Sequence, residues 1–331
     1  MWLRIYIEEL DRYVSFVDRV AEVGWLLRVV ERGTAFPVAI YGPEGCGKTT
    51  FLRYVSRRVS DLGDTVVVYV DALEQFDLEK ALFSSHRGVL EVVGDLVSVP
   101  IGAGLAHAVM SIVSRLAKRF SLRGRNVVVI VDDVYRAIGL DDVDRYTKSL
   151  YEWIGFLHER YGVSNTAIIL STSEGVSKRI LSRHTYVDVE LLWNLPRDGF
   201  AELVEQLGPP PGVDAEELWM LTGGNPRALI EVARLGWNTR LWMDRVYEAR
   251  VRRVLHTLER GRLGMLAEDP DSDWEMAEKL EELGLMIELR RSSTISRVPE
   301  PSPELGIGRD WAWQLPIYRQ LVKQGLENTR P

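Results

Sequence analysis

The sequence has 331 residues, of which 46% are hydrophobic and 27% are charged. This is the composition of a folded globular protein that is long enough for two or three domains. A net charge of −7 argues against a surface that coats nucleic acid generally, although a local basic face is compatible with it. The one cysteine, Cys46, cannot form a disulfide within this chain, which favours a reducing cytoplasm.

The first stretch, residues 2–32, is predicted to be helical because apolar residues follow a helical spacing in its second half. Glu8, Glu9 and Asp11 interrupt any apolar core there, so no signal peptide is expected. These residues precede the glycine-rich segment Gly42–Thr49, which fits a phosphate-binding loop as described below, and a segment in that position often packs against adenine. A helix that merely covers the sheet has the same spacing, so both interpretations stay open.

The most informative stretch is Gly42-Pro43-Glu44-Gly45-Cys46-Gly47-Lys48-Thr49, which fits the Walker A pattern of a phosphate-binding loop. It follows a β-branched and aromatic run, Val38–Tyr41, and precedes apolar residues at helical spacing in Thr50–Ser60. Glycines let backbone N–H groups turn onto phosphate oxygens, and the helix N-terminus adds partial positive charge. We expect Lys48 to reach the β- and γ-phosphates and the Thr49 hydroxyl to ligate Mg²⁺.

The second predicted strand is Val66–Val70, and a helical region is predicted for residues 77–119. Within it, Leu96–Ser114 contains no Asp, Glu, Lys or Arg and approaches the length of a membrane-spanning helix. A proline and two glycines interrupt this segment. We interpret it as a helical hairpin that is buried or faces a partner, with a membrane span as the alternative.

Five consecutive β-branched residues, Val127–Val131, lead into Asp132 and Asp133. Such a run predicts a buried parallel strand with its acids at the carboxyl edge of the sheet, where α/β proteins bind ligands. This is the Walker B pattern, so we expect Asp132 to hold the Mg²⁺ shell through water and Asp133 to orient the attacking water. In the alternative interpretation, the acids simply cap the next helix.

A helix is predicted for residues 141–161 and a fourth strand for Thr166–Ser173. The hydroxyls of Thr172 and Ser173 either sense the γ-phosphate or cap the following helix. Tyr186–Glu190 is the predicted fifth strand.

Two arginines precede that fifth strand and are candidates for an arginine finger that acts on the nucleotide of a neighbouring subunit. Arg183 is the first candidate and Arg179 is the second. The alternative interpretation is a solvated basic face.

Residues 196–236 are predicted to form a small helical domain. Asn225 as N-cap and Pro226 in the first turn indicate the start of a helix. Arg227 therefore lies in the first turn, where it either projects toward a phosphate or is a plain exposed arginine.

The last region is rich in arginine between Arg240 and Arg262. A predicted helix, Trp274–Leu283, is followed by a strand, Leu285–Leu289, with Thr294–Val298 pairing back, which is a winged-helix order. The helix that would read DNA carries four glutamates, which phosphates repel. A protein-contact role is therefore better supported, or DNA contact only through the wing and the arginine-rich stretch.

Together these segments resemble the archaeal AAA+ ATPases, in the group close to the signalling P-loop ATPases called STAND and to the Orc/Cdc6 initiators. Phe16-Val17-Asp18-Arg19 resembles the F-x-x-R box before the P-loop, which implies that Val17 and Arg19 contact the nucleotide. Thr222–Arg227 resembles the G-G-x-P segment of the lid, which implies a sensor role for Arg227.

The resemblance extends to catalysis, with departures. Ser182-Arg183-His184 is similar to the Ser-Arg-Cys finger of clamp loaders. Asp133 replaces the glutamate usual in the family, and there is no clear sensor asparagine on the fourth strand. We therefore expect ATP hydrolysis that is slow or stimulated by a partner.

The predicted fold is α/β: a P-loop NTPase with a five-stranded parallel sheet in the order 5-1-4-3-2, a helical lid and a winged-helix-like C-terminal domain. The predicted domains are residues 1–192, 193–238 and 239–331. The predicted cofactors are ATP and Mg²⁺, since no guanine-specific N-K-x-D motif is present.

The candidate site residues form three sets. The predicted nucleotide-binding residues are Val17, Arg19, Gly42, Pro43, Glu44, Gly45, Cys46, Gly47, Lys48, Thr49, Thr50 and Arg227. Thr49 and Asp132 are the predicted metal ligands, and Lys48, Asp133 and Arg183 are the predicted catalytic residues.

Two functions are compatible with the sequence. A nucleotide-gated switch for protein partners, or within a homo-oligomer, is favoured by the acidic net charge, the acidic helix and Asp133. A DNA-dependent ATPase of replication, recombination or repair is favoured by the arginine-rich stretch and by Arg290 and Arg291 in the wing. Duplex DNA is then a partner, and no membrane span is expected.

Overall fold

The structure is a computed structural model that describes residues 4–72, 82–84, 122–172 and 175–327. The chain divides into two compact units. The sheet unit consists of Val20–Tyr41 and Lys48–Glu190, and the helical unit consists of Met1–Arg19, Gly42–Gly47 and Leu191–Pro331. Most of the helical region predicted for residues 77–119, including Leu96–Ser114, lies outside the described residues, as does Ser173.

The N-terminal residues form a hairpin, so the prediction of helix throughout residues 2–32 is wrong for their first half. The elements are strand β1 (Arg4–Ile7), a 3₁₀ turn (Glu8–Leu10), the antiparallel strand β2 (Arg12–Ser15) and helix α1 (Val20–Arg32). Ile7 and Val14 are buried, whereas Tyr6 and Tyr13 are exposed and pair across the strands with ring centroids 5.0 Å apart. This alternation has the period of a half-buried strand.

The sheet contains six strands in the described part of the chain, in the order β5-β4-β6-β7-β3-β8. They are β3 (Val38–Tyr41), β4 (Thr65–Asp71), β5 (Leu82–Ser84), β6 (Asn126–Asp132), β7 (Asn165–Ser171) and β8 (Asp188–Leu191). The five predicted strands lie in the predicted order. The sixth, β5, pairs antiparallel with β4 at the edge, so the predicted count was one too low because this segment was predicted to be helical.

Helices cover this sheet. They are α1, α2 (Lys48–Ser60), α3 (Val134–Ile138), α4 (Val143–Tyr161) and α5 (Gly175–Leu181). The uninterrupted apolar run Val127–Val131 is buried, as expected for a parallel strand with covered faces. The register pairs Asp71 at the end of β4 with Asp132 at the end of β6, so polar groups gather at the carboxyl edge.

The helical unit consists of short helices around one apolar core. They are α6 (Arg197–Leu207), α7 (Ala215–Thr222), α8 (Pro226–Arg234), α9 (Thr239–Val246), α10 (Arg252–Thr257), α11 (Arg260–Glu268), α12 (Trp274–Glu282) and α13 (Pro316–Glu327). A π-helical segment, Tyr247–Val251, joins α9 to α10. Asn225 caps α8 as predicted, since its Oδ1 accepts a hydrogen bond from the N–H of Ala228 at 3.1 Å.

The predicted first domain, residues 1–192, is not one compact unit, because Met1–Arg19 and the loop Gly42–Gly47 group with the helical unit. The physical reason for the first segment is apolar packing: Ile7, Val14 and Val17 belong to the core of the helical unit. The division of the remaining chain into residues 193–238 and 239–331 stays a prediction.

The strand pair near the C-terminus differs from the predicted hairpin. Strand β9 (Met286–Glu288) pairs antiparallel with β10 (Trp311–Trp313) and not with Thr294–Val298. The residues of β10 are at most 1% exposed, so this pairing buries two tryptophans that the nearer segment does not offer. The hydroxyls of Ser293 and Ser296 bind the backbone of Leu191 instead.

Among the helices of the described residues, none combines the length and the apolar character that crossing a membrane requires.

Candidate functional site

The glycine-rich loop Gly42–Gly47 leads directly into α2, which begins at Lys48. A Cβ at Gly42 would lie 1.9 Å from the carbonyl oxygen of Leu192, and a Cβ at Gly45 would lie 2.5 Å from Cβ of Arg227. Glycine is therefore required at both positions. The first N–H groups of α2 have no partner within the helix, so the end of the loop offers donors suited to an anion.

Arg19 holds this loop through backbone atoms. Its side chain is 3% exposed and donates hydrogen bonds to the carbonyl oxygens of Cys46, at 2.8 Å, and Trp193, at 2.7 Å. Asp18 and Arg19 both have positive φ, a conformation that costs on the order of 1–3 kcal/mol for a non-glycine residue. The structure thus gives Arg19 a positioning role, while direct nucleotide contact by Arg19 and Val17 stays a prediction.

Glu44, in the same loop, is bonded through both of its backbone groups. Its N–H donates to Oε1 of Gln314 at 2.9 Å, and its carbonyl oxygen accepts from Nδ2 of Asn225 at 2.9 Å. Asn225 also donates to Oδ1 of Asn194 at 2.8 Å, and Asn194 donates to the carbonyl oxygen of Gln314 at 3.2 Å. These three amide side chains are buried, so each hydrogen bond replaces one that water would otherwise supply.

The carboxylate of Glu44 makes two ion pairs. Arg227, in the first turn of α8, lies 2.8 Å from Oε1, and Arg250, in the π-helical segment, lies 3.1 Å from Oε2. All three side chains are partly exposed, so each pair alone contributes about 0–1 kcal/mol. We refer to Glu44, Asn194, Asn225, Arg227, Arg250 and Gln314 as the Glu44 network.

A second polar cluster lies at the end of β6 in the sheet unit. The Asp132 carboxylate, 1% exposed, accepts hydrogen bonds from the hydroxyls of Ser171, Thr49 and, at 2.8 Å, Tyr69. Burial raises the pKa of Asp132 above its ordinary value, and the negative charge of Asp133 raises it further, against the lowering effect of the hydroxyl hydrogen bonds. The charged carboxylate is therefore costly in the protein without a cation.

The donor set at Asp132 fits Mg²⁺, which prefers oxygen ligands. The structure brings together the hydroxyl of Thr49 and the carboxylate of Asp132, the two groups predicted as metal ligands, through a hydrogen bond. Lys48 is buried at the first position of the same helix.

For Asp133 and Thr172, the sequence left open whether the side chain acts at the nucleotide or caps the following helix. Asp133 has φ of +50° and its N–H donates to Oγ of Ser171 at 2.9 Å, but its side chain makes no capping hydrogen bond to α3. Thr172 shares a hydrogen bond of 2.7 Å with the hydroxyl of Ser177 in α5. A side-chain hydrogen bond to the following helix is therefore observed for Thr172, and a side-chain capping hydrogen bond is not observed for Asp133.

The candidate finger arginines differ in position. Arg183 lies after the end of α5, is exposed, and makes no ion pair to any residue that the structure describes. Arg179 lies on α5 itself.

Sequence reasoning missed several residues of these clusters. Tyr69 and Ser171 had a local signal, since Tyr69 is a hydroxyl residue within an apolar run of β4 and Ser171 directly follows an apolar run of β7. Arg250 and Gln314 had none, because they follow Glu44 by 206 and 270 positions.

A largely parallel sheet, a glycine-rich loop that opens a helix and a buried aspartate hydrogen-bonded to that helix define a nucleotide-binding α/β protein. Residues 16–232 match the family model ATPase_2, an ATPase domain predominantly from Archaea. The chain belongs to this family of archaeal ATPases, and ATP hydrolysis is its activity.

A search of curated proteins gives no match. Among solved structures, the chain is similar to the ORC2 protein of Aeropyrum pernix in ADPNP-ADP complexes, at 17% identity over 88% of this chain and 82% of that one, with a TM-score of 0.46. It is also similar to Cdc6p of Pyrobaculum aerophilum, at 14% identity over 98% and 96%, with a TM-score of 0.46. For AMPPCP-bound DnaA of Aquifex aeolicus the identity is 18% over 74% and 66%, with a TM-score of 0.35.

The cost of the buried Asp132 charge can be measured. Asp132→Asn is expected to raise the free energy of unfolding of the nucleotide-free protein by about 1–3 kcal/mol at neutral pH, while it abolishes Mg²⁺-dependent ATP turnover. In the folded wild type, the pKa of Asp132 is raised above its value in the unfolded chain. The folded wild type therefore loses stability as the pH rises through that raised pKa. The advantage of the variant should thus be largest at neutral pH and shrink toward acid, as measured by urea unfolding.

The matched control is Asp71→Asn at the paired position of β4. This change removes the 2.8 Å ion pair with Arg53 and is expected to lower stability or leave it unchanged. Equal destabilisation by both variants would contradict the interpretation of Asp132.

Proposed function

We propose that this ATPase is an AAA+/STAND-like nucleotide-gated switch. In this proposal, ATP·Mg²⁺ binding or slow hydrolysis at the glycine-rich loop repositions the C-terminal region, which presents a surface to a protein partner. The observation that supports it is the Glu44 network, because one loop residue contacts α8, the π-helical segment and the residue after β10.

The proposed chemistry at the loop follows from its residues. Gly42–Gly47 and the N-terminus of α2 surround the phosphates, with Pro43, Cys46 and Thr50 in the same stretch. Lys48 stabilises the charge that develops on the γ-phosphate oxygens. Thr49, through its hydroxyl, and Asp132, through water, would hold Mg²⁺, and the ion would supply positive charge to the phosphates. Asp133, whose side chain does not cap α3, orients the attacking water.

Arg227 is the proposed sensor, because it can exchange one anion for another. In the structure its partner is the carboxylate of Glu44. A γ-phosphate carries more charge and accepts stronger hydrogen bonds from a guanidinium than an exposed carboxylate does. Binding of ATP would therefore draw Arg227 and the start of α8 toward the nucleotide, and this moves the proposed lid, residues 193–238.

The proposed responder is the region 239–331, which we interpret as a winged-helix-like domain. Its order of elements, α11, α12, β9 and β10, supports this interpretation. Arg250 and Gln314 connect this region to Glu44, so a movement of the loop or lid alters their hydrogen bonds.

The coupling can be tested with Glu44→Gln, which keeps the shape of the side chain and removes its charge. In the wild type, a non-hydrolysable ATP analogue is expected to change hydrogen exchange in Pro226–Arg234 and Tyr247–Val251. In the variant this change should shrink severalfold at saturating analogue, because the ion pairs to Arg227 and Arg250 are lost.

Two further variants serve as controls for this experiment. Glu248→Gln is the matched control, since Glu248 pairs with Arg252 in the same stretch and lies outside the Glu44 network. Lys48→Ala should abolish analogue binding and, with it, the whole response. A response of wild-type size in Glu44→Gln would count against the switch.

A homo-oligomer is proposed because Arg183 is exposed and makes no ion pair within the described residues. Such an arginine is available to a nucleotide bound by a neighbouring copy of the chain.

Arg183→Ala is expected to lower ATP turnover at least tenfold while ATP affinity changes little, since complete arginine fingers contribute about 10³–10⁵ to turnover. Mixing it with Lys48→Ala should restore turnover, because one variant keeps the nucleotide site and the other keeps the finger. Arg58→Ala, another exposed arginine, is the control. Joint loss of affinity and fold in Arg183→Ala would make this residue structural.

A DNA-dependent ATPase of replication, recombination or repair is the second candidate. Arg240, Arg245 and Arg253 are exposed and make no ion pair to described residues, which leaves them able to contact phosphates. Other arginines of the region are already engaged. Arg262 pairs with Asp273, and Arg291 donates to three backbone carbonyl oxygens.

ATP turnover measured with and without duplex DNA, at low and at moderate salt, separates the two functions. The switch predicts slow turnover that DNA does not change. Stimulation by DNA that fades with salt would instead support the DNA-dependent ATPase, since release of counterions makes such binding salt-dependent.

A further inference from the structure

A cavity of about 250 Å³ lies within the helical unit, and charged side chains line much of it. They are Arg227, Arg234, Arg245 and Arg250, with Glu44 and Glu231. Four guanidinium groups face two carboxylates, so this cavity is positive in a chain whose net charge is −7. We refer to it as the arginine cavity.

The positive charge of the arginine cavity is not evenly balanced. Arg227 and Arg250 share the carboxylate of Glu44. Arg234, at the end of α8, and Arg245, in the last turn of α9, make no ion pair to any residue described by the structure. The uncompensated charge is therefore located at these two arginines, which do not titrate at neutral pH.

The rest of the wall is partly aromatic. Trp242 and Tyr318 line the cavity and are only 2% and 8% exposed, and Leu315 lies beside them. The indole of Trp242 donates to Glu231 at 3.0 Å. The Tyr318 hydroxyl makes no hydrogen bond to any described residue, and burial raises the pKa of Tyr318 to about 12, so at neutral pH it is an unused donor.

We propose that the arginine cavity binds a phosphorylated small molecule, with its phosphate on Arg234 and Arg245 and an apolar ring against Trp242 and Tyr318. Guanidinium groups bind phosphate with paired hydrogen bonds, and aromatic walls bind rings. Lys48, Thr49 and Asp132 do not line this cavity, so its phosphate position differs from that of the nucleotide phosphates, although Glu44 and Arg227 line it and also belong to the proposed nucleotide site.

Occupation of the arginine cavity would affect the loop. A phosphate inside it competes with Glu44 for Arg227 and Arg250, which line the same cavity. The ligand is thus an effector of the Glu44 network. The binding site itself does not depend on the switch, since it is defined by Arg234, Arg245 and the aromatic wall.

Phenyl phosphate is a suitable probe, because it joins one phosphate to one ring and lacks the diphosphate that the glycine-rich loop would hold. Calorimetry and ligand-observed NMR should show one site per chain in the wild type and in Lys48→Ala. The double variant Arg234→Gln/Arg245→Gln should bind phenyl phosphate more weakly than the wild type by about tenfold or more. Phenol, which lacks the phosphate, should bind the wild type no more tightly than phenyl phosphate binds the double variant.

Arg240→Gln is the matched control, since Arg240 lies on α9 with Arg245 but does not line the cavity. It should bind phenyl phosphate as the wild type does. Arg245→Gln alone serves if the double variant has a lowered melting temperature.

Three outcomes would overturn the proposal. Binding that Lys48→Ala abolishes would place the probe in the glycine-rich loop. Binding that survives in the double variant would exclude these arginines. Absence of phenyl phosphate binding, with duplex DNA binding that the double variant loses, would assign the arginines to nucleic acid. None of these binding measurements depends on the hydrogen-exchange response of Glu44→Gln. Failure of the proposed switch can therefore be distinguished from failure of the proposed binding site.

Discussion

The hydrogen bonds that hold Glu44 are the constraint on which the described site depends. A loop residue normally leaves its backbone groups to water, but here both are taken by buried amides that lie 181 and 270 positions later in the chain. The path of the glycine-rich loop is therefore determined by the helical unit as well as by its own glycines. Arg19, which precedes Cys46 by 27 positions, adds to this by donating a hydrogen bond to the carbonyl oxygen of Cys46.

Asp132 shows the opposite balance between stability and function. The Glu44 network satisfies its polar groups, whereas Asp132 buries a carboxylate whose hydroxyl partners only partly offset the loss of water. Tyr69 is itself bonded to Arg53, so this cluster extends from β6 to α2 through neutral and charged groups. A site that is unfavourable without a cation is one that a divalent ion stabilises on binding, because the ion supplies the missing positive charge.

The sequence predicted what is encoded locally. The strands around Val38–Tyr41 and Val127–Val131, the loop between strand and helix, and the Asn225 cap all follow from residues within a few positions of one another. What it could not predict depends on distant partners. Along the chain, Thr294–Val298 is closer to β9 than Trp311–Trp313 is. The more distant segment pairs with β9 because this pairing buries Trp311 and Trp313. The N-terminal hairpin was missed because the helical spacing of α1 was extended over an alternating segment.

In the C-terminal region, the pairing of the arginines says more about ligand binding than their number does, because a paired guanidinium group already has an anion beside it. Arg227 and Arg250 belong both to the Glu44 network and to the arginine cavity. Two anions that compete for the same guanidinium groups must influence each other's binding, and by linkage the factor is the same in both directions. Suppose that a ligand of the cavity releases Glu44 and changes the affinity for nucleotide by some factor. Nucleotide binding would then change the affinity for that ligand by the same factor. In the proposals made above, Arg227 and Arg250 are the residues through which a ligand of the cavity and the nucleotide would influence each other.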